Sequence, residues 1–367
     1  MHTMKCTRLF TSLLLAAAAL ASSCDTVFTD VYDEVSRPKL YVWGSFTAMG
    51  SASRAGFAEL DLESGKPTDN DSTFTTNLLP VIRDNMVYHF VGAGALSASI
   101  LETGTLLWTV TTDGNIMAIA ANEDFIFIGG SYLNLEGQPM NDLTRVRRDT
   151  GVVLPQPIAI NGYVSAMTLA GNTLYLGGSF TLLDGTEARN QIAAIDARTG
   201  ALKSWYPLNG TNSPPDRMWI SGNTLYVGGG FALIGGKTRN RIAAVDLESG
   251  EVLPFNPDLG GAGNVTDCTF TSDTVYMVGG FSTIGGVSHN GIAAVDRSSG
   301  ALRSWYPAVS SVSTIVEHDG NIYVGGGFNA INGVTRNNLA AFDGVSGNLL
   351  SWNPNASNAI SFMVLQK

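Results

Sequence analysis

The chain has 367 residues, 44% of them hydrophobic and 14% charged, with a formal net charge of −10. That apolar content fills a large core, so disorder is excluded as the state of the whole chain. An acidic chain with no basic stripe to neutralise phosphates excludes nucleic acid as a partner.

Residues 1–23 read as a secretory leader, with Lys5 and Arg8 at its start, an apolar run from Leu9 to Ala21, and Ser22 and Ser23 at its exit. The apolar run is too short to cross a bilayer as a helix. Ala21-Ser-Ser-Cys24 resembles a bacterial lipoprotein box of the looser, spirochaete-like kind, since Leu20 stands four residues before the cysteine instead of three. The resemblance implies lipidation of Cys24, with residues 24–39 as a lipidated tether. Ordinary cleavage near Ala21, leaving a free Cys24 thiol, is the other reading. Once the leader is gone, the cysteines make no disulfide framework. Cys268 stands where other repeats carry Met167, Met218 or Ile315, and reads as a small buried hydrophobe.

From residue 40 to the end the chain repeats. An aromatic residue heads a glycine-rich strand at Tyr41, Tyr88, Phe127, Tyr175, Tyr226, Tyr276 and Tyr323. A hydroxyl residue and glycine close each unit at Gly65, Gly104, Gly151, Gly200, Gly250, Gly300 and Gly347. Short strands, glycine turns and a period near fifty residues predict an all-β, seven-bladed β-propeller of four-stranded antiparallel blades. In the clearest unit the strands are Val164 to Leu169, Leu174 to Phe180, Ile192 to Asp196 and Leu202 to Trp205. No stretch keeps a helical period. The first unit starts at its second strand, and Ile360 to Leu365 matches Val164 to Leu169. The C-terminal strand is therefore expected to complete the first blade and remove the open edge.

The run Tyr226-Val-Gly-Gly-Gly-Phe231, Ile-Gly-Gly, Arg239-Asn240, Ile242-Ala-Ala-Val-Asp246 and Ser249-Gly250 resembles the delta-60 repeat propellers of bacterial surface and secreted proteins. It is also similar to quinoprotein-like propellers, in which an aspartate turn precedes a tryptophan. The likeness spans residues 40–365 and implies extracytoplasmic, mostly non-catalytic propellers with no defined substrate.

Several residue sets invite a functional reading. Asp196, Asp246, Asp296 and Asp343 are each followed, after two intervening residues, by Ser/Thr-Gly, which is turn chemistry before it is a cation ring. The Gly-Gly pairs lack the helix that a phosphate cradle needs. Trp108, Trp205, Trp305 and Trp352 share one repeat position and read as packing between blades. Arg189, Arg239, His289 and Arg336, with Arg54 in the first unit, form a partial cationic ring on one face. They are the candidate ligand-binding residues, although an arginine repeated at one register also suits carbonyl bonding. The second unit lacks this loop and the third has Met140 in place of the arginine, so the face should be notched there. Arg217 and Asp267, in adjacent units, are expected to pair across the channel wall. No catalytic constellation, metal-ligand spacing or cofactor motif appears in the sequence.

These features predict a monomeric, lipid-anchored envelope protein, a binding or scaffolding module for a protein or glycan partner. Assembly of outer-membrane proteins, and a glycan-cleaving or quinone-dependent enzyme, are the competing readings.

Overall fold

The computed structural model describes residues 38–366 apart from 75, 77, 156 and 290; the leader, Cys24 and most of the tether lie outside the described residues. The described residues form strands and no helix. Each repeat contributes one radial antiparallel sheet. In the fourth repeat the innermost strand Val164–Ala170 pairs with Thr173–Gly178, which pairs with Ile192–Asp196. The same order recurs with Asn115–Ala121, Pro215–Ser221, Val265–Phe270 and Val312–His318 innermost.

The tandem glycines have a local cause. Each innermost strand in these repeats carries a bulge near its start, seen as a register shift between Val164 and Ala166, between Val312 and Thr314, and opposite Gly129 and Gly130 in the third repeat. A Cβ on Gly178 or Gly326 would lie 2.0 Å from the carbonyl oxygen of the residue that leads into the bulged strand, Tyr163 or Ser311. Only glycine permits that approach.

The core lies between the sheets. Apolar clusters join the first sheet to the second through Phe57, Phe74 and Val87, and the second to the third through Val110 and Ile126. Equivalent clusters run on round the ring until Leu40 and Leu60 meet Tyr323 and Leu339. Tryptophan and tyrosine fasten these seams. Trp205 Nε1 donates to Asp246 O at 2.9 Å and Trp305 Nε1 to Asp343 O at 3.0 Å, each reaching the next sheet. The rings of Tyr175 and Trp205 meet edge-on at 4.8 Å.

The fourth strand is short in most sheets. It is a single bridge, such as Ile195↔Leu202 or Val245↔Val252, and a proline then ends it, as Pro207 and Pro257 do, whereas no proline follows Trp108, which makes the same reach to Arg148 O at 3.0 Å. The second sheet alone among the described residues has a full fourth strand, Leu106–Thr111.

The chain ends close the ring. Lys39–Gly44 lies between Phe57–Asp61 and the C-terminal Ile360–Gln366, so the first sheet contains both ends of the domain. Beside this closure, hydrogen bonds tie four innermost strands. Met363 N donates to Thr314 Oγ1, and Thr314 Oγ1 and Ile315 N donate to Asp267 Oδ2. Trp219 Nε1 donates to Asp267 Oδ1 at 3.3 Å. The expected Arg217–Asp267 pair does not form: the Trp219 indole faces the carboxylate, while Arg217 Nη1 bonds Asp216 O at 2.8 Å. Burial raises the Asp267 carboxyl above its ordinary value, against these donors.

The aspartate turns behave as turn chemistry predicts. Asp246 Oδ1 accepts from Glu248 N, Ser249 N and Ser249 Oγ, and Asp196, Asp296 and Asp343 repeat the pattern.

Deleting residues 358–367 removes the strand that covers Lys39–Gly44, and the truncated protein is expected to unfold or to oligomerise through the bared edge. A truncated chain that stays monomeric with an unchanged Tm contradicts this account of closure. The turn hydrogen bonds lower the pKa of Asp196, Asp246, Asp296 and Asp343 from 3.8. Their stabilisation is complete above the unfolded value and is lost as pH falls through the folded one. Urea unfolding below about pH 4 should therefore show falling stability, with a shallower slope in Asp246→Asn and Asp343→Asn. Equal slopes in wild type and both variants would refute it.

Candidate interaction face

Connections between second and third strands lie at the same end of the sheets as the connections from one sheet to the next. Most of them fold into a narrow antiparallel ribbon, as in Leu182–Leu183 with Glu187–Ala188 and Leu233–Ile234 with Lys237–Thr238. The ribbon rests on the connection that enters its own sheet, through bridges such as Leu183↔Ile160, Ile234↔Thr211 and Met49↔Ala356.

The candidate arginines sit at the foot of these ribbons. Arg239 donates Nη1 to Thr238 O at 2.8 Å and Nη2 to Leu253 O at 2.9 Å. Arg336 repeats this with Thr335 O and Leu350 O, both at 3.0 Å. Arg54 bonds Ser53 O and Thr68 O, and Arg189 bonds Ala188 O and Lys203 O. In all four the second carbonyl lies fourteen residues on, in the outer stretch of the same sheet. The guanidinium is thus a clip between ribbon and outer edge. Arg189 also lies over the Tyr206 ring at 5.0 Å, and burial lowers the Arg239 pKa. His289 packs edge-on against Tyr306 at 4.5 Å and is buried. The structure places all five residues on one face, but in separate sheets, and it directs the guanidinium Nη atoms into the protein. The constant fourteen-residue spacing is the sequence signal that points to this role.

The second sheet departs from the pattern. Val91–Gly94 replaces the ribbon, with Val91 N bonded to Ala95 O at 2.9 Å and Thr112 N to Gly94 O at 2.7 Å. Val91 is 45% exposed and Leu79, in the connection entering this sheet, 48%. The face is therefore lower here and presents apolar side chains.

A cavity of about 530 Å³ opens at the same face between the last repeats and the first. Phe328, Asn329, Asn337, Asn338, Asn355 and Ser357 line it. Asn337 Nδ2 donates to Asn355 Oδ1 at 2.7 Å and Asn338 Nδ2 to Ala356 O at 2.8 Å. No charged side chain lines the cavity, so it suits a neutral hydrogen-bonding group. Sequence reasoning missed it, although the connection from Trp305 to Val312 is visibly short. Among the described residues, no group of three His, Cys, Asp or Glu side chains is placed to hold a metal.

The family described as outer membrane protein assembly factor BamB matches residues 102–353. No match was found among curated proteins. Among solved structures, the computationally designed protein Ika8 is similar at 16% identity and a TM-score of 0.50, over 79% of this chain and 90% of that one. U3-55K is similar at 10% identity and a TM-score of 0.50, over 77% and 83%. BamB from Moraxella catarrhalis is similar at 13% identity and a TM-score of 0.42, over 74% and 93%. At such identities the two likenesses with a TM-score of 0.50 speak for the fold alone.

Replacing Arg189, Arg239 and Arg336 together by Gln is expected to lower stability by about 1–3 kcal/mol per site, since each change removes charged hydrogen bonds to carbonyls. Thermal and urea unfolding measure this. Unchanged unfolding with lost partner binding would make these arginines contact residues after all.

Proposed function

Because the chain belongs to the family of the outer membrane protein assembly factor BamB, we propose that it is a protein-binding module of the cell envelope on a seven-bladed propeller. The reading rests on the missing ribbon of the second sheet, which leaves Leu79 and Val91 exposed at a step in an otherwise ribbon-covered face. Exposed apolar side chains gathered where a repeated loop is missing mark a partner site more than a scattered surface hydrophobe does. The face belongs to the ribbon loops, with Arg54, Arg189, Arg239 and Arg336 holding its shape and His289 in the equivalent place. The amide-lined cavity would take a neutral portion of the partner, glycan included. Lipidation at Cys24 would hold the monomer at an envelope membrane. The glycine-rich repeats also fit a delta-60 propeller.

A second reading, help in the assembly of outer-membrane proteins, is favoured by the family name and would make the partner a component of that machinery. The soluble domain from Asp25 onward, cross-linked in envelope extract, should capture a protein saturably. Leu79→Glu with Val91→Glu should weaken its capture about tenfold or more while leaving the Tm unchanged. Undiminished capture by the double variant would remove the step from consideration, and the identity of the captured protein decides between the two readings.

A further inference from the structure

The outer edges of the sheets are unequal, and this difference bears on how a partner is held. In most repeats the outer stretch makes one bridge and then dives to seat its aromatic ring. In the second repeat Leu106–Thr111 pairs with Ala95–Ile100 from Thr111 to Trp108 and again, past a bulge at Leu107, at Leu106, and is last in its sheet. Its pattern of exposure is an alternation: Trp108 and Val110 are buried against the third sheet, while Leu107, Thr109 and Thr111 are exposed. Leu106 is 59% exposed.

The backbone of this strand has an outer side that is open at Thr109 and covered at Thr111. Thr111 N donates away from its own sheet, to Glu136 Oε1 at 2.5 Å, and Thr111 O accepts from Glu136 N at 2.9 Å. Backbone groups alternate in direction along an antiparallel strand, so Thr109 N–H and C=O point the same way, where no further strand pairs among the described residues. The sequence Leu-Leu-Trp-Thr-Val-Thr has no charge or proline to blunt the edge; a bulge at Leu107 interrupts its near end, and the open stretch is centred on Thr109. Acidic groups flank it instead, exposed Glu102 in the preceding turn and Glu136 at the far end.

We propose that Leu106–Thr111 is a docking edge for an extended segment of a partner protein. The segment adds a fifth strand to the second sheet, by backbone pairing at Thr109 and charge complementarity of flanking lysine or arginine with Glu102 and Glu136. The proposal rests on the protein-binding reading and deepens it. Backbone pairing supplies the affinity in such strand addition, and alternate side chains supply the specificity.

The probe is a labelled nonapeptide with a valine–threonine core and two lysines at each end, titrated by fluorescence anisotropy with amide exchange read at Thr109. Saturable binding with slowed exchange at Thr109 is expected. Thr109→Pro deletes the outward N–H, which an edge strand tolerates, and should weaken the peptide about tenfold, whereas Thr109→Ala, which loses the same hydroxyl bond to Ser97 Oγ but keeps the N–H, should bind as wild type. A peptide with a central proline should weaken likewise. Absence of saturable binding overturns the proposal, as does equal binding by Thr109→Pro. So does equal binding of a lysine-flanked glycine–serine peptide, which would reduce the effect to charge. Dimerisation that Thr109→Pro abolishes, without peptide binding, would assign the edge to a second copy of this chain and overturn it too. Envelope capture that depends on Leu79 and Val91 but not on Thr109 leaves the protein-binding reading standing while this proposal falls.

Discussion

The pairing of Lys39–Gly44 with Ile360–Gln366 is the constraint on which the rest of the structure depends. Each sheet buries its faces only by leaning on two neighbours, so the inter-sheet clusters form a circuit that is complete only when the first and last repeats meet. The closing strand brings Ile360 and Met363 into the apolar cluster shared with Tyr323 and Leu339. Met363 N also enters the hydrogen-bond relay through Thr314 to Asp267, which links the closure to three other innermost strands. Breaking the seam exposes apolar surface and a strand edge together.

Within that ring, side chains that look functional in sequence are largely occupied by construction. The arginines hold ribbons to outer edges, the tryptophans hold sheet to sheet, the aspartates hold turns, and the tandem glycines make room for bulges. A repeated residue at a repeated register solves a problem that every repeat shares. Features for binding are more readily sought where the repeat fails. The missing ribbon of the second sheet, its unusually long outer strand, and the short connection beside the asparagine-lined cavity are three such failures.

Two of these failures meet in the second repeat. Loss of the ribbon lowers the face at Val91, and the outer strand stays extended through Thr111. A partner engaging the step has a strand edge within the same sheet, so the two surfaces are parts of one unit of the ring.

The sequence by itself determined the repeat, the three inner strands of each sheet and the closure, while the expected fourth strand is reduced to a single bridge in most sheets. Hydrophobic alternation and glycine spacing act over a few residues, and the match of Ile360 to Leu365 with Val164 to Leu169 carries the closure directly. It determined the missing loop of the second repeat for the same reason, since an absent segment is visible without coordinates. Tertiary structure alone decided where side chains separated along the chain end up. That Trp219, and not Arg217, faces Asp267 depends on which atoms of adjacent innermost strands come within reach. That the guanidinium groups turn inward depends on carbonyls becoming available once an outer strand has folded back beside its ribbon. A cavity among Asn329, Asn337 and Asn355 likewise exists only between assembled sheets, because its walls come from segments that meet nowhere but in the closed ring.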